Sequence, residues 1–358
     1  MTRAFNFNAG PATLPQEVLE EAREELLDYR QGGASVMEIS HRGKLYDAVH
    51  TEAVENFSKL LGCPDDYAVL FLPGGATMQF AMLPLNLLSA GRTADYINSG
   101  SWAEKALKEA KLVGRVNVAA DTSKAQPARL PVADELQLTP GAAYVHITSN
   151  ETIAGTQWKE FPRSDSPLVA DMSSDILSRP FDIKQFGMIY AGAQKNLGPA
   201  GISLVVMRKD LAENAPANLP QMLRYKAHLE ANSLYNTPPT FSIYLMMLVS
   251  RWILKQGLEN LYRRNAEKAA RLYAVIDAGG FYRGTAAPEY RSDMNVTFRL
   301  PTEDLEKQFL KQAEELRLQG LKGHRSVGGV RASIYNAMPE AGVEALCGFM
   351  REFEAKNG

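Results

Sequence analysis

Cysteine is nearly missing from this sequence: Cys63 and Cys347 are its only two in 358 residues, with no C-x-x-C. That leaves no disulfide framework and no thiolate zinc site, and it fits a reducing cytosol. Histidine is sparse as well, five residues scattered without ligand spacing, so no metal site is expected. Long hydrophobic runs are missing. The most apolar window, 243–249, falls far short of the ~20 residues that span a bilayer. Excess charge of one sign is missing too: the formal net charge is −2, which argues against a general nucleic-acid-binding surface. The opening MTRAFNFNAGPATLP has no apolar h-region and does not read as a secretory signal. No repeat or low-complexity tract is visible. These absences predict a cytoplasmic protein with neither a membrane nor a nucleic acid as partner.

What is present is ordinary for a folded chain, 45% apolar and 22% charged. The length predicts one large and one small domain. Residues 1–15 hold Gly10, Pro11 and Pro15 and read as an extended arm. Leu14, Val18, Leu19, Ala22, Leu26 and Tyr29 recur at helical spacing, which predicts a helix closed by Gly32 and Gly33. From residue 67 onward, short apolar runs at 67–72, 94–98, 115–120, 143–148, 168–172, 188–191 and 202–207 alternate with helical patterns. That alternation predicts a mainly parallel sheet covered by helices, with 242–256 a helix leaving that domain. After about residue 261 the pattern becomes α+β, with an amphipathic helix at 302–318 that turns Leu305, Phe309, Ala313 and Leu316 inward. The predicted domains are therefore 16–260 and 261–358, with the arm packed on the second.

The stretch LVADMSSDILSRPFDIKQFGMIYAGAQKNLGPAGIS concentrates the chemistry. Asp171 ends one apolar run, and Lys195 follows the next, among Gly192, Ala193, Gly198 and Gly201. A lysine at a strand end is ordinarily solvated, and an aspartate there is ordinarily a helix cap. Together they suit a Schiff base to pyridoxal phosphate (PLP), the amine taking the aldehyde and the carboxylate the pyridinium nitrogen. PGGAT, at 73–77, joins a strand to a helix and could cradle a phosphate on its backbone amides, although many Gly-rich turns bind nothing. Trp102 reads as a core ring or a ring stacked on a cofactor. Thr152 reads as a turn residue or a hydroxyl beside one. His41–Arg42, His324–Arg325 and Arg331 gather cations in a nearly neutral chain. Arg331 lies inside an apolar strand pattern, where an unpaired guanidinium is costly, so an anion such as a substrate carboxylate is expected beside it.

FNFNAGPATLP, ISHRGKLYD, FLPGGATMQFAMLPLNLL, SNETIAGT, YAGAQKNLGPAGIS, SLYNTPPTFSIY and KGHRSVGGVRASIYNAMP run almost from end to end of the chain. On these segments it resembles the phosphoserine aminotransferases, class V PLP enzymes of fold type I. The resemblance implies an α/β fold, with a mainly parallel, mixed seven-stranded sheet in a large domain and a smaller α+β C-terminal domain. It also implies roles. Lys195 would carry the Schiff base, with Asp171 on the pyridinium. Trp102 would stack on the ring and Thr152 would touch the cofactor. Gly75, Ala76 and Gln194 would hold the phosphate. Asn236 and Thr237 would reach the cofactor of a second subunit in a homodimer. Arg42 and Arg331 would take substrate carboxylate, while His41, His324 and Arg325 would read a phosphate or distal carboxylate, partly across the interface.

The implied substrates are L-glutamate and 3-phosphohydroxypyruvate, in serine biosynthesis. In many bacteria the family also aminates 3-hydroxy-2-oxo-4-phosphonooxybutanoate, on the route to PLP. Other readings stay open: a serine–glyoxylate aminotransferase, a cysteine desulfurase, or a PLP-free α/β protein that binds a phosphorylated ligand. Neither cysteine sits in a loop suited to a desulfurase, and the extra His-Arg cations are not needed by the serine–glyoxylate enzyme.

Overall fold

The computed structural model describes residues 3–358, so the first two residues of the expected arm lie outside the described residues. In chain order the helices are α1 (Gln16–Glu24), α2 (Lys44–Leu61), α3 (Gly75–Leu87), α4 (Ser101–Val113), α5 (Tyr225–Glu230), α6 (Thr240–Gln256), α7 (Leu258–Ala278), α8 (Glu303–Glu315) and α9 (Glu340–Asn357). The strands are β1 (Phe5–Asn6), β2 (Tyr67–Pro73), β3 (Thr93–Asn98), β4 (Arg115–Asp121), β5 (Val145–Thr148), β6 (Asn150–Glu151), β7 (Thr156–Gln157), β8 (Leu168–Asp171), β9 (Met188–Gly192), β10 (Ile202–Arg208), β11 (Arg283–Gly284), β12 (Asn295–Arg299), β13 (Leu318–Gln319) and β14 (Val330–Ser333).

Seven strands form one sheet in the order β2-β10-β9-β8-β5-β3-β4. Only β10 runs against its neighbours, so the other six point the same way. Strands covered on both faces carry unbroken apolar runs, and consecutive side chains enter different layers. Val69 and Phe71 of β2 join the core under α2 and α6, whereas Leu70 and Leu72 join the one under α3 and α4. The same split divides Ala170 from Val169 and Ile189 from Tyr190.

A separate core lies beneath α7, α8 and α9 on the antiparallel sheet β11-β12-β14. Phe7 of the arm is fully buried there, and β1 pairs in parallel with β13, Phe5 opposite Leu318. Helix α7 bridges the two cores: Leu261 packs in the larger, Leu272 and Ile276 in the smaller.

Three local expectations need correction. The first helix ends at Glu24 rather than continuing to Tyr29: Glu25 leaves helical angles (φ −88°, ψ 0°), Asp28 is extended (φ −145°, ψ 95°), and Leu26 and Leu27 face solvent. Helix α6 does not leave the large core: Ile243, Met246, Met247 and Ile253 are buried in it, against α2. Leu316 does not point inward, being 58% exposed, since α8 stops at Glu315 and left-handed Arg317 turns the chain into β13.

Candidate active site

Because six strands run in parallel, the carboxyl ends of β2, β3, β5, β8 and β9 open on one edge of the sheet, the edge where open α/β sheets bind ligands. A cleft of about 480 Å³ lies there. Its wall holds Gly74–Thr77 after β2, Trp102 after β3, Asn150 and Thr152 after β5, Asp171 closing β8, and Gln194 and Lys195 after β9. His324 and Arg331 complete it from the other core. A second cavity of about 490 Å³ adjoins and shares His324 and Arg331.

Lys195 is 9% exposed, and its Nζ donates to Thr152 Oγ1 at 2.8 Å. Burial pulls its amine down to about 8, the nearby Asp171 charge pulls the other way, and Arg331 adds to the lowering. An amine near 8 is partly unprotonated, and so nucleophilic, at neutral pH. Asp171 is buried and accepts both the backbone N–H and the hydroxyl of Ser173, at 2.9 and 2.6 Å. Burial raises its carboxyl, while the Ser173 bonds and the Lys195 charge hold it down. Ser173 Oγ in turn accepts Gly192 N–H at 3.0 Å, which ties β8 to β9 at the cleft floor. Among the described residues no ion pair joins Asp171 to Lys195.

The indole of Trp102 lies 5.6 Å from Lys195 Nζ, and Lys105 Nζ lies 4.0 Å from the same ring. Gly74 and Gly75 have φ of 94° and 66°, left-handed values that favour glycine, and they bring the chain into α3 with the Ala76 and Thr77 amides in its first turn. A Cβ on Gly192 would sit 2.7 Å from the Gln194 side chain and 3.4 Å from Ala76 N, so the bare backbone keeps this corner open.

Arg331 reaches Thr152 O at 3.5 Å through one terminal nitrogen, and its Nε is buried without a partner. A half-buried guanidinium whose Nε is buried without a partner, at the wall of a cleft, is suited to an anion. Burial, followed by the charges of Arg331, Lys105 and Arg325, lowers His324 below its usual pKa, so these cations surround one imidazole.

The fold thus brings together Gly75, Ala76, Trp102, Thr152, Asp171, Gln194, Lys195, His324 and Arg331. It does not bring His41, Arg42, Asn236, Thr237 or Arg325 to the cleft wall of this chain. Arg42 and Thr237 are exposed, and Asn236 Nδ2 is turned to its neighbour's carbonyl, Thr237 O, at 3.0 Å. Sequence reasoning missed the arm: Ala9, Gly10 and Pro11 line the cleft, with Gly10 packed on the Gln194 and Lys195 stems. It also missed Ser173, whose hydroxyl orients Asp171; a serine two residues beyond a buried carboxylate is the available signal.

The family model for class-V aminotransferases matches residues 4–346. A phosphoserine aminotransferase of Niallia circulans is 56% identical over 359 residues, 99% of each chain. The solved phosphoserine aminotransferase of Bacillus circulans subsp. alkalophilus superposes with a TM-score of 0.98 at 56% identity, covering 99% of both chains. A PLP-bound phosphoserine aminotransferase from Trichomonas vaginalis gives a TM-score of 0.94 at 40% identity, covering 98% of this chain and all of that one.

Proposed function

We infer, from a chain that belongs to the class-V aminotransferases, that it moves an amino group reversibly from L-glutamate to 3-phosphohydroxypyruvate, giving 2-oxoglutarate and O-phospho-L-serine. One observation carries the reading: a buried amine held by a single hydroxyl, in a cleft it shares with a buried carboxylate. The relatives are named phosphoserine aminotransferases, which supports phosphoserine as the amino compound; glutamate and 3-phosphohydroxypyruvate are what the family resemblance implies.

PLP fits the residues present. Asp171, kept an acceptor by Ser173, would hold the ring nitrogen, Trp102 the ring face and Thr152 the phenolic oxygen. Gly75, Ala76 and Gln194 would hold the phosphate at the start of α3. When bound, PLP supplies an electron sink for negative charge at the substrate α-carbon. The protein's own work is placement and proton transfer. Lys195, with its lowered pKa, takes the α-proton and returns it, as base and then acid. Arg331 clamps a carboxylate through its fork and His324 meets the distal anion, phosphate or carboxylate, from this chain, while Arg325, which does not line this cleft, would join it only across a dimer interface. A serine–glyoxylate reading leaves that cation group without a purpose. A desulfurase reading fails on chemistry, since neither cysteine lines the cleft and burial pushes the Cys63 thiol up to about 11.

Two copies complete the proposed site. His41, Arg42, Asn236 and Thr237 do not line their own cleft, and apolar side chains close to them in sequence are left in solvent, Met37 53% and Tyr235 45% exposed. A homodimer that covers these segments would carry the four residues to the partner's cleft. The division into 16–260 and 261–358, with the arm joining the second, belongs to the same proposal, as does a cytoplasmic location. No helix among the described residues is long and apolar enough to cross a membrane.

The test is turnover of glutamate with 3-phosphohydroxypyruvate, followed by coupled detection of 2-oxoglutarate. The expected kcat/KM exceeds that with pyruvate by about 10²-fold or more, the worth of a paired distal anion. Equal use of pyruvate would remove the phosphate-reading role, and no turnover with either would overturn the reading.

A further inference from the structure

Glu151 is a fully buried carboxylate that the proposed reaction leaves unused. It ends β6, which pairs with β7, and it immediately precedes Thr152, the residue that accepts Lys195 Nζ. Its side chain leaves the hairpin and grips another element. Oε1 accepts Ala103 N–H at 3.0 Å, and Oε2 accepts Trp102 N–H at 3.2 Å. Both amides belong to the first turn of α4, whose N-cap residue, Gly100, has no side chain to offer them. A Cβ on Gly100 would lie 2.7 Å from Glu151 Cδ, so the close approach needs a glycine at that position.

A serine or aspartate at position 100 would cap α4 locally. A buried glutamate from another strand is a costly substitute. Burial, with the nearby Asp171 charge adding to it, pushes its carboxyl up to about 7, against the pull of the two amides and of the Lys195 charge. What the remote cap adds is a link. Trp102 and Thr152 approach Lys195 from different strand ends, at 5.6 Å from ring to amine and at 2.8 Å. Glu151 is bonded through the chain to one and through hydrogen bonds to the other.

We propose that Glu151 is a positioning residue that fixes the Trp102 ring and the Thr152 hydroxyl as one unit about Lys195, presetting the cleft for a flat aromatic ring. The role for the ring rests on PLP being the cofactor. The hold on Trp102 does not.

Two readouts separate them. In the cofactor-free protein, Glu151→Gln keeps the size but opposes an amide nitrogen to a backbone N–H. It should raise acrylamide quenching of tryptophan fluorescence about twofold, with the melting midpoint within ~3 °C of the parent. Gly100→Ala should do the same from the other side of the contact. In a Trp102→Phe background neither change should matter. Quenching unchanged in both variants, or raised equally in the Phe background, overturns the proposal, and so does a variant that simply unfolds while Gly100→Ala leaves the tryptophan unmoved. PLP titration is the second readout. Glu151→Gln should weaken PLP binding about tenfold alone and less than twofold when Trp102 is already Phe; full additivity overturns the coupling. A parent protein that binds no PLP would strike the cofactor reading, with the quenching result still deciding the grip on Trp102.

Discussion

Two lysines are buried among the described residues, and they behave differently. Lys195 is 9% exposed and Lys268, on α7, is 1% exposed. Burial lowers both amines, to about 8 and about 7. Lys195 donates one bond, to a hydroxyl, and lines the cleft. Lys268 donates to Ile334 O at 3.0 Å, Tyr335 O at 2.8 Å and Met338 O at 3.1 Å, so all three N–H groups of an ammonium are used. Those carbonyls lie on the turn from β14 into α9, which Lys268 fastens to α7. A depressed pKa therefore reports burial in both places. What marks a reactive amine is incomplete hydrogen bonding beside a cavity.

Changes at the two lysines should separate chemistry from stability. The largest effect belongs to Lys195→Ala, which should cut turnover about 10³-fold or more while the protein stays folded, read from the coupled assay and a melting curve together. Near-normal activity would break the comparison. Next is Lys268→Met, which removes the side-chain donor from the Ile334, Tyr335 and Met338 carbonyls, leaving Tyr335 O only the Met338 N–H, and should cost about 3 kcal/mol in a urea titration. The fraction that remains folded should keep kcat within about twofold. Unchanged stability would mean the three bonds contribute nothing.

The smallest effect is Lys195→Met, expected to stabilise the cofactor-free protein at pH 7 by about 1–3 kcal/mol. The folded amine has a pKa of about 8, below its ordinary 10.5. Between those values the unfolded chain holds a proton that the folded chain has released, so stability rises with pH across that window. Below about 8 both states are protonated and the parent carries the whole cost of the buried charge. The Met variant should show a shallower rise above pH 8, the share due to Lys268 remaining; a slope unchanged from the parent would contradict this.

Much of the cleft was legible in the sequence because its residues end strands. Asp171 and Lys195 close apolar runs, and a parallel sheet sends all such ends to one edge. Arg331 was legible as a charge inside an apolar strand, and its buried Nε bears out the conflict it creates. Lys268 was not legible. It sits in the helical pattern RRNAEKAARLYAVIDA, where a lysine ordinarily faces water, and its acceptors lie some 66 to 70 residues downstream. Glu151 escaped for a related reason: its partners belong to α4, 48 and 49 residues earlier, and no local spacing encodes that contact. The early end of the first helix was missed because Leu26 and Leu27 continue an apolar pattern on a chain segment that has already turned away; both are solvent-exposed. Apolar periodicity shows which side chains avoid water, but not whether the helix or a second copy of the chain covers them.

The most direct test is the site of covalent attachment. The protein is loaded with PLP, reduced with borohydride, digested and mapped by mass. The account predicts one pyridoxyl group per chain, on Lys195, with Lys268 unmodified. A pyridoxyl group on any other lysine, or none at all after loading, would contradict it.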